Sequence, residues 1–364
     1  MNPSPSKPLQ ILSLSTTVGA LGTGLGGGVE LTLHNISQAL RQRGHAVTIV
    51  APCGSHLGDL PIVQIPGQLQ TLAQTQGRTD PVLLPPDAVL ANMWAYARTV
   101  QDEYDLLLNY AYDWLPLYLT PFFGRPIAHL ISMGSLSDAM DQIMQQVGTQ
   151  FPGTFGVHSR AQAATFATAD DYRVLGNGLD LALYEFCPEA TEGLGWVGRI
   201  APEKGLEDAI AAASHANLPL QIWGAMANPG YWQQIQRTHP NARVEYRGFL
   251  PTAQLQRELG RCQGLLMTPK WIEAFGNVAI EALACGVPVI AYRRGGPAEI
   301  VMDGKTGWLV QPDSVERLVE AIARLDQIDR AACRQQVEAD YSMAAMGDRV
   351  ERWLMDILVN RYSS

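Results

Sequence analysis

The 364-residue sequence lacks a membrane-spanning segment, since no stretch approaches about 18 uninterrupted apolar residues. It also lacks the features of a secretory leader. The first residues, MNPSPSKPLQ, carry Pro and Ser where a signal peptide would need an apolar core. These two absences predict a cytoplasmic protein.

Cysteine is scarce and scattered, with five residues and no Cys-x-x-Cys pair. This usage argues against a zinc site or a disulfide framework and predicts reduced thiols. The Asp-x-Asp pair that commonly holds a divalent ion beside a sugar nucleotide is also missing. The sequence therefore predicts no metal site.

Positive charge is low, with 26 Lys and Arg against 35 Asp and Glu, a formal net charge of −9. The first 185 residues hold 8 basic and 14 acidic side chains, a net of −6. An acidic chain of this kind is disfavoured as a partner of nucleic acid or of an anionic membrane. We therefore expect small-molecule substrates and no stable membrane association, and oligomeric state stays open.

What is present is a regular alternation of buried apolar runs with helical segments. The predicted strands are LQILSLS, HAVTIVAP, YDLLLNY, PIAHLISM and, more weakly, TFGVHS, and then LGWVGRI, LPLQIWG, ARVEYRGF, GLLMTP and VPVIAYR. The stretch from about 53 to 86, rich in Pro, Gly and Gln, is predicted to be irregular. The alternation predicts two parallel-sheet α/β domains, residues 1–184 and 192–342, with the ligand site in the cleft between them.

A glycine-rich segment, ALGTGLGGGVELTLHN, contains the G-x-G-x-x-G spacing at Gly22, Gly24 and Gly27. A dinucleotide site needs these glycines directly behind the first strand and an acidic residue ending the second strand. Here about six residues intervene and the second strand ends TIVAPCG, so the dinucleotide interpretation is rejected. Glycines before a helix still suit a phosphate, because they expose amides at its positive end. The alternative is a flexible surface loop.

Two basic residues follow the first strand of the second half, in GRIAPEKG. Arg199 and Lys204 lie at the carboxyl end of that strand, where two cations could neutralise a diphosphate. The alternative is a solvated Arg and Lys on a turn.

Two glutamates stand eight positions apart, with seven residues between them, in PKWIEAFGNVAIEALACGVPVIA. Glu273 precedes a predicted helix and Glu281 lies on it, in an otherwise apolar stretch. A carboxylate in such surroundings needs a partner, and sugar hydroxyls can supply one. A neighbouring Arg or amide is the alternative partner.

These segments together resemble the retaining GT-B glycosyltransferases with the E-x7-E motif, the family-4 type. The resemblance rests on the glycine loop, VLGNGLD, GRIAPEKG, YRGFLP, EAFGNVAIEALACGVPVIA and GWLV, in the order of the family. It implies two Rossmann-like domains, with a last helix, around 343–364, packing back on the first. It also implies a metal-independent enzyme without a separate cofactor, in which the nucleotide sugar is a substrate.

The family implies a role for each matching position on the donor side. Glu273 and the amides of Ala274, Phe275 and Gly276, with Asn277 beside them, would hold the transferred sugar. Glu281 would hold the ribose hydroxyls, and the backbone from Arg247 through Gly248 and Phe249 would read the base. Donor diphosphate contacts are expected from Gly26, Gly27, Gly28, Arg199 and Lys204. Arg199, Lys204 and Glu273 are the expected catalytic residues.

The first half supplies the expected acceptor pocket, in NYAYDWLPLYLTPFF and AHLISMGSLSDAMDQ. Tyr110, Tyr112 and Trp114 offer flat faces, and Asp113 could accept two N–H bonds from a planar heterocycle. His129 and Met133 are added to the predicted acceptor residues in the second of these segments. The alternatives are aromatic side chains that belong to the core and a buried structural histidine.

Within the family, the acceptor segments and GGGVELTLHN are similar to the UDP-glucose:tetrahydrobiopterin α-glucosyltransferases. That resemblance implies UDP-glucose as donor and the pterin side-chain hydroxyl as acceptor. Three alternatives stay open: transfer to a lipid or polysaccharide, a non-catalytic sugar-nucleotide-binding protein, and a nicotinamide oxidoreductase. Departures from the family pattern are Tyr112 where His is common, Gly176 in place of Pro, and Ala274 in place of Gly.

Overall fold

The chain folds into two α/β units, each built on a parallel sheet, as the alternation of strands and helices predicts. The computed structural model describes residues 7–23, 27–71, 73–167 and 171–362. The first unit runs to Gly178 and resumes at Met343, and the second unit extends from Leu179 to Ser342. The division therefore falls a few residues before the predicted end of the first domain at 184.

The first unit has a seven-stranded sheet in the order β3-β2-β1-β4-β5-β6-β7. Its strands are β1 (Gln10–Leu14), β2 (Ala46–Pro52), β3 (Ile62–Ile65), β4 (Leu106–Asn109), β5 (Ile127–Ile131), β6 (Phe155–Val157) and β7 (Arg173–Val174). The helices between them are α1 (Gly28–Gln42), α2 (Val89–Val100), α3 (Trp114–Leu119), α4 (Asp138–Gln150) and α5 (Arg160–Ala163). The central strands β4 and β5 are buried along their whole length, which explains their unbroken apolar sequence.

The second unit has a six-stranded sheet in the order β10-β9-β8-β11-β12-β13. Its strands are β8 (Leu194–Val197), β9 (Leu220–Trp223), β10 (Val244–Tyr246), β11 (Gly264–Met267), β12 (Val289–Tyr292) and β13 (Gly307–Val310). Its helices are α6 (Leu206–His215), α7 (Pro229–Thr238), α8 (Thr252–Gly260), α9 (Asn277–Ala284), α10 (Pro297–Ile300), α11 (Val315–Ile322) and α12 (Arg330–Asp340).

The strand order of both sheets reverses at one place. In the first sheet the chain moves outward on either side of the β1–β4 pair, and in the second on either side of β8–β11. Loops that leave the carboxyl ends of such a pair diverge and open a crevice, where α/β sheets bind ligands. In the second unit these loops are GRIAPEKG and the segment TPKWIEAFG.

Three edge strands were not predicted, one of them β13 of the second sheet. The segment 62–65 lies inside the stretch predicted to be irregular, yet it pairs with β2 as β3. Prolines flank it on both sides, and its four residues are too few to give a periodic signal. The second unpredicted strand, β7, has two exposed residues.

The last helix, α13 (Met343–Tyr362), belongs to the first unit and packs against α1, as expected. Trp353 is buried and donates its indole N–H to the carbonyl of Gly153 at 2.8 Å. Met346, Val350 and Leu354 enter the same apolar core. No helix in the described part of the chain combines the length and apolar content that a bilayer crossing requires.

Truncation of Trp353 tests how much α13 stabilises the first unit. We expect Trp353→Ala to lower its free energy of unfolding by about 3–5 kcal/mol, because a large cavity forms and the Gly153 carbonyl loses its donor. Val359→Ala, at a position 61% exposed on the same helix, is the matched control. Equal melting temperatures for the two variants in thermal unfolding followed by circular dichroism would contradict this packing.

Candidate functional site

The candidate site of the second unit is formed by the loops that follow β8 and β11. Arg199 comes two residues after β8, and a 3₁₀ turn, Pro202–Lys204, follows it. Glu273 lies on the loop between β11 and α9. Because β8 and β11 are neighbours in the sheet, these two loops start side by side at its carboxyl edge.

Lys204 and Glu273 form an ion pair that joins the two loops, with Nζ and Oε2 2.5 Å apart. The Trp271 indole N–H donates to the same oxygen at 3.1 Å, and the Lys204 ammonium lies 5.0 Å from the centre of the Trp271 ring. Burial alone would raise the pKa of Glu273, but the Lys204 ammonium, with the Trp271 indole and the Arg199 charge, outweighs burial and holds that pKa below its ordinary value. Glu273 is therefore ionised at neutral pH.

Arg199 also has a carboxylate partner, since its guanidinium lies 2.8 Å from Glu203 Oε1. The two side chains are 40% and 30% exposed, so the pair lies at the surface of the loop. Arg199 and Lys204 were predicted to be cations for a diphosphate, with a solvated Arg and Lys on a turn as the alternative. The structure pairs each cation with a glutamate of this site, and Glu203 was not among the predicted site residues.

Gly205 lets the two loops approach each other. Its φ of +62° lies in the left-handed region, and a Cβ there would collide with the carbonyl of Thr268. The Thr268 hydroxyl donates to the carbonyl of Gly205 at 2.7 Å. The glycine of GRIAPEKG is thus required where the β8 loop packs against the β11 loop.

A polar network beside the ion pair was missed by the sequence analysis. Lys270 bonds to Asp208 at the start of α6 and lies 3.2 Å from Asp313 behind β13. Asp208 also accepts from the Tyr292 hydroxyl at 2.5 Å. Arg294 pairs with Asp313 and donates to the Pro269 carbonyl at 2.8 Å. These residues come from four separate segments, so no local spacing in the sequence announces them.

The residues predicted to hold the transferred sugar lie where α9 begins. Gly276 is the N-cap with a φ of +97°, and Asn277 is the first residue of the helix. The Phe275 ring is buried and meets Tyr341 edge-on, with centroids 5.9 Å apart. Next to Ala274, the carbonyl of Glu273 accepts from the Gly296 amide at 2.7 Å. The loop that carries Glu273 is therefore held against the loop behind β12.

Glu281 lies on α9, half-buried, with the Tyr184 hydroxyl 3.4 Å from its Oε1. Loss of hydration raises the pKa of Glu281 to about 7, because this hydroxyl compensates only partly for the missing water. The carboxyl group of Glu281 therefore changes its ionisation state near neutral pH.

The predicted base-reading segment follows β10. The Arg247 amide donates to the Ile222 carbonyl at 2.8 Å, and its side chain lies 3.2 Å from Glu245. The carbonyl of Gly248 accepts from the Gly224 amide at 2.9 Å. Phe249 is 68% exposed, so its ring is open to solvent.

Only part of the predicted glycine loop can be placed. Gly26 lies outside the described residues, whereas Gly27 is the N-cap of α1 and Gly28 its first residue. The carboxylate of Glu30 accepts from the Gly22 amide at 2.5 Å. An anionic side chain that the sequence analysis missed therefore lies at the same helix N-terminus that was predicted to bind phosphate.

The predicted acceptor residues of the first unit differ in exposure. Tyr110 is 1% exposed and belongs to the apolar core, so in this conformation its ring presents no face to a ligand. Burial raises the pKa of Tyr112, and its hydroxyl accepts from the Leu136 amide at 3.3 Å. For Tyr110 the arrangement supports the core alternative.

The remaining aromatic and polar positions behind β4 and β5 contact one another or a preceding loop. Trp114 stacks on Tyr118 with centroids 4.6 Å apart and an interplanar angle of 16°. Burial raises the pKa of Asp113, whose carboxylate accepts from Gln70 at 3.0 Å. Met133 Sδ accepts from Gln74 at 3.3 Å. A segment that includes Gln70 and Gln74 thus contacts the loops after β4 and β5.

His129 is completely buried inside β5. Its Nδ1 lies 3.1 Å from Asn109 Nδ2 and its Nε2 lies 3.0 Å from the Thr120 hydroxyl. Burial lowers its pKa to about 3, so the ring is neutral. Both nitrogens are engaged within the core, which supports the structural alternative for this residue. In the described ranges, no group of three His, Cys, Asp or Glu side chains could hold a metal ion.

The second unit is similar to a known protein family. Residues 188–340 match the family described as glycosyl transferases group 1. The glycogen synthase of Mycobacterium tuberculosis is 32% identical over 184 residues, which cover 46% of this chain and 44% of that enzyme. The D-inositol 3-phosphate glycosyltransferase of Corynebacterium glutamicum is 29% identical, over 48% of this chain and 45% of the relative. Both matches thus extend over less than half of the relative.

Solved structures match nearly the whole chain. The Anabaena protein Alr3699/HepE in complex with UDP has a TM-score of 0.77 at 19% identity, covering 96% of this chain and 100% of that chain. The sucrose-phosphate synthase of Thermosynechococcus elongatus has a TM-score of 0.75 at 19% identity, over 97% and 100%. At this identity the likeness shows the fold, and it confirms the predicted class of two Rossmann-like parallel-sheet domains, GT-B.

The raised pKa of Glu281 predicts a pH-dependent stability of the second unit. The unfolded carboxyl ionises near its ordinary pKa of 4.5 and the folded one only near 7. Stability is therefore lost as the pH rises through this window, because the unfolded chain binds fewer protons. We expect Glu281→Gln, which cannot ionise, to stabilise the protein by up to about 3 kcal/mol at pH 8 and by far less at pH 5.

The measurement is chemical denaturation of both proteins at these two pH values. Glu320→Gln, which removes an exposed carboxylate paired with Arg317, is the control and should show no such difference. A pH-independent effect of Glu281→Gln would mean that Glu281 ionises normally in the folded protein.

Proposed function

We propose that the protein is a retaining hexosyltransferase that uses a nucleotide sugar, with UDP-glucose as donor. The observation that carries the proposal is the arrangement of Arg199, Lys204, Glu273 and Glu281 around the β8 and β11 loops. The family match of residues 188–340 covers these four residues and supports the reaction class. The choice of donor is supported by the complex of Alr3699/HepE with UDP-glucose, which shares the fold.

The two basic residues are the groups that would stabilise the departing diphosphate. As the bond between the anomeric carbon and the phosphate oxygen breaks, negative charge develops on the diphosphate. Cations held in place against that charge lower the barrier, and the reaction then needs no metal ion. Arg199 and Lys204 are each held by a glutamate, which fixes the orientation of both cations toward the site.

The glutamates would hold the two sugars of the donor. Glu281 accepts a hydrogen bond from Tyr184 and has lone pairs left for the ribose hydroxyls. Glu273, held by Lys204 and Trp271, would accept hydrogen bonds from hydroxyls of the hexose. The acceptor oxygen attacks on the face that the nucleotide leaves while its proton passes to the departing phosphate oxygen, so the anomeric configuration is retained.

For the acceptor we propose the side-chain hydroxyl of tetrahydrobiopterin, a small planar molecule. The Asp113 carboxylate is suited to the N–H groups along one edge of a pterin, and the stacked rings of Trp114 and Tyr118 lie on α3, directly after it. Transfer assays with UDP-glucose and tetrahydrobiopterin, read by product mass, test this proposal. A product formed only with a lipid or polysaccharide acceptor would contradict the choice of acceptor and keep the reaction class.

Neutralising either cation should slow the chemical step. We expect Arg199→Ala and Lys204→Ala to lower kcat by about 10²-fold or more, because each removes a charge that acts on the leaving group. Arg317→Ala, which breaks an exposed pair with Glu320 on α11, is the matched control. Near wild-type turnover of both site variants at saturating UDP-glucose would refute these roles, and EDTA should leave all rates unchanged.

Donor binding should release a proton from Glu281. Ribose hydroxyls donate to the ionised carboxylate, so binding favours the form that predominates above a pKa of about 7. We expect the affinity for UDP-glucose to rise about tenfold between pH 6 and pH 8 and this rise to vanish in Glu281→Gln. Titration calorimetry in buffers of different ionisation enthalpy measures the proton directly. A wild-type affinity that is flat over this range would rule out the ribose contact.

A further inference from the structure

Two polar side chains outside the predicted site lie side by side at the carboxyl edge of the first sheet. Ile131 pairs with Val157 at the ends of β5 and β6, so the next residues, Ser132 and His158, are neighbours. The Ser132 hydroxyl oxygen lies 3.3 Å from His158 Nε2. His158 is 5% exposed, whereas Ser132 is only half-buried.

The surroundings of His158 decide which ring nitrogen carries the hydrogen. Its Nδ1 lies 3.1 Å from the carbonyl oxygen of Gly176, which can only accept, so Nδ1 is the protonated nitrogen. Burial lowers the pKa of His158 to about 4, against the opposing effect of hydrogen bonds with the Gly176 carbonyl and the Asn177 side chain, so the ring is neutral at physiological pH. Nε2 then has a lone pair and no hydrogen, and Ser132 donates to it.

The backbone on both sides of this pair is fixed by Gln162 of α5, which is completely buried. Its Nε2 donates to the carbonyls of Ile131 and Met133, at 2.7 and 2.9 Å, and so holds the peptide units around Ser132. Its Oε1 accepts from the His158 amide at 2.7 Å. One amide group therefore sets the positions of both members of the pair.

The consequence is a hydroxyl group of defined polarity. A serine hydroxyl can both donate and accept a hydrogen bond. Because Ser132 donates its hydrogen to His158, its oxygen can only accept hydrogen bonds from other groups. A ligand at this place gains a hydrogen bond when it brings an O–H or N–H group. An ether or carbonyl oxygen would face lone pairs instead.

We propose that Ser132, oriented by His158, selects an acceptor substrate that presents a hydroxyl group as a hydrogen-bond donor. This inference rests on the proposed transferase function and assigns the specificity for the acceptor alcohol to a residue not included in the predicted site. Ser132 follows β5 as Asp113 follows β4, so both lie at the same edge of the sheet. His158 is a positioning residue, since it acts through Ser132.

The test compares the binding of biopterin with that of biopterin whose side-chain hydroxyls are methylated, by calorimetry with the full chain. We expect the wild type to prefer biopterin by about 10-fold or more, because a buried polar group left unpaired is costly. Ser132→Ala should bind both within about twofold, and Ser132→Thr, which keeps the oxygen, should restore the preference. Ser135→Ala, on the same loop but with its hydroxyl bonded to Asp141, is the matched control.

A second measurement follows the imidazole itself and needs no ligand. The ¹⁵N spectrum of His158 should report hydrogen on Nδ1 and a hydrogen-bonded Nε2, and Ser132→Ala should free Nε2 without moving the tautomer. A purely structural role would leave the pterin preference of Ser132→Ala unchanged.

The outcomes separate this inference from the proposed function. Glucose transfer by the wild type together with an unchanged preference in Ser132→Ala overturns the inference alone. Binding with the expected preference but without transfer from UDP-glucose overturns the proposed function alone. No binding of either pterin by the wild type overturns the inference and the proposed pterin acceptor together.

Discussion

The ion pair between Lys204 and Glu273 is the interaction on which the proposed donor site depends. It joins the loops that leave β8 and β11, the two strands where the order of the second sheet reverses. A crevice opens at such a place in any α/β sheet. Here the ion pair between Lys204 and Glu273 fixes the positions of the side chains in that crevice. Gly205 permits the close approach of the loops, and Trp271 fixes the carboxylate that Lys204 binds.

The positive and negative charges of the candidate site nearly balance, and this balance affects how a diphosphate would bind there. Arg199 pairs with Glu203 and Lys204 pairs with Glu273. Each glutamate orients its cation, but an incoming anion must share the cation with that glutamate or displace it. Breaking a partly buried pair without replacement is costly, whereas exchanging one anionic partner for another costs far less. Such a site favours ligands that bring hydroxyl groups for the released glutamates together with a diphosphate for the cations.

Much of the fold could be predicted because it depends on local patterns. The strands around the candidate site are short apolar runs, and α9 begins at the glycine of AFGN. The network of Lys270, Asp208 and Arg294 joins distant segments, and the partners of the two cations depend on side-chain geometry, so neither could be read from spacing. For the same reason the run of aromatic residues did not show that Tyr110 belongs to the core whereas Trp114 does not. The pairing of His158 with Ser132 is visible only in the folded structure.

We propose that two cations, Arg199 and Lys204, and two glutamates, Glu273 and Glu281, bind one and the same nucleotide sugar. A crystal structure of the full chain with UDP-glucose tests it most directly. We expect the diphosphate to contact Arg199 and Lys204, the ribose hydroxyls to donate to Glu281, and the hexose hydroxyls to donate to Glu273. A nucleotide bound elsewhere, with Arg199 still on Glu203 and Lys204 still on Glu273, would contradict it.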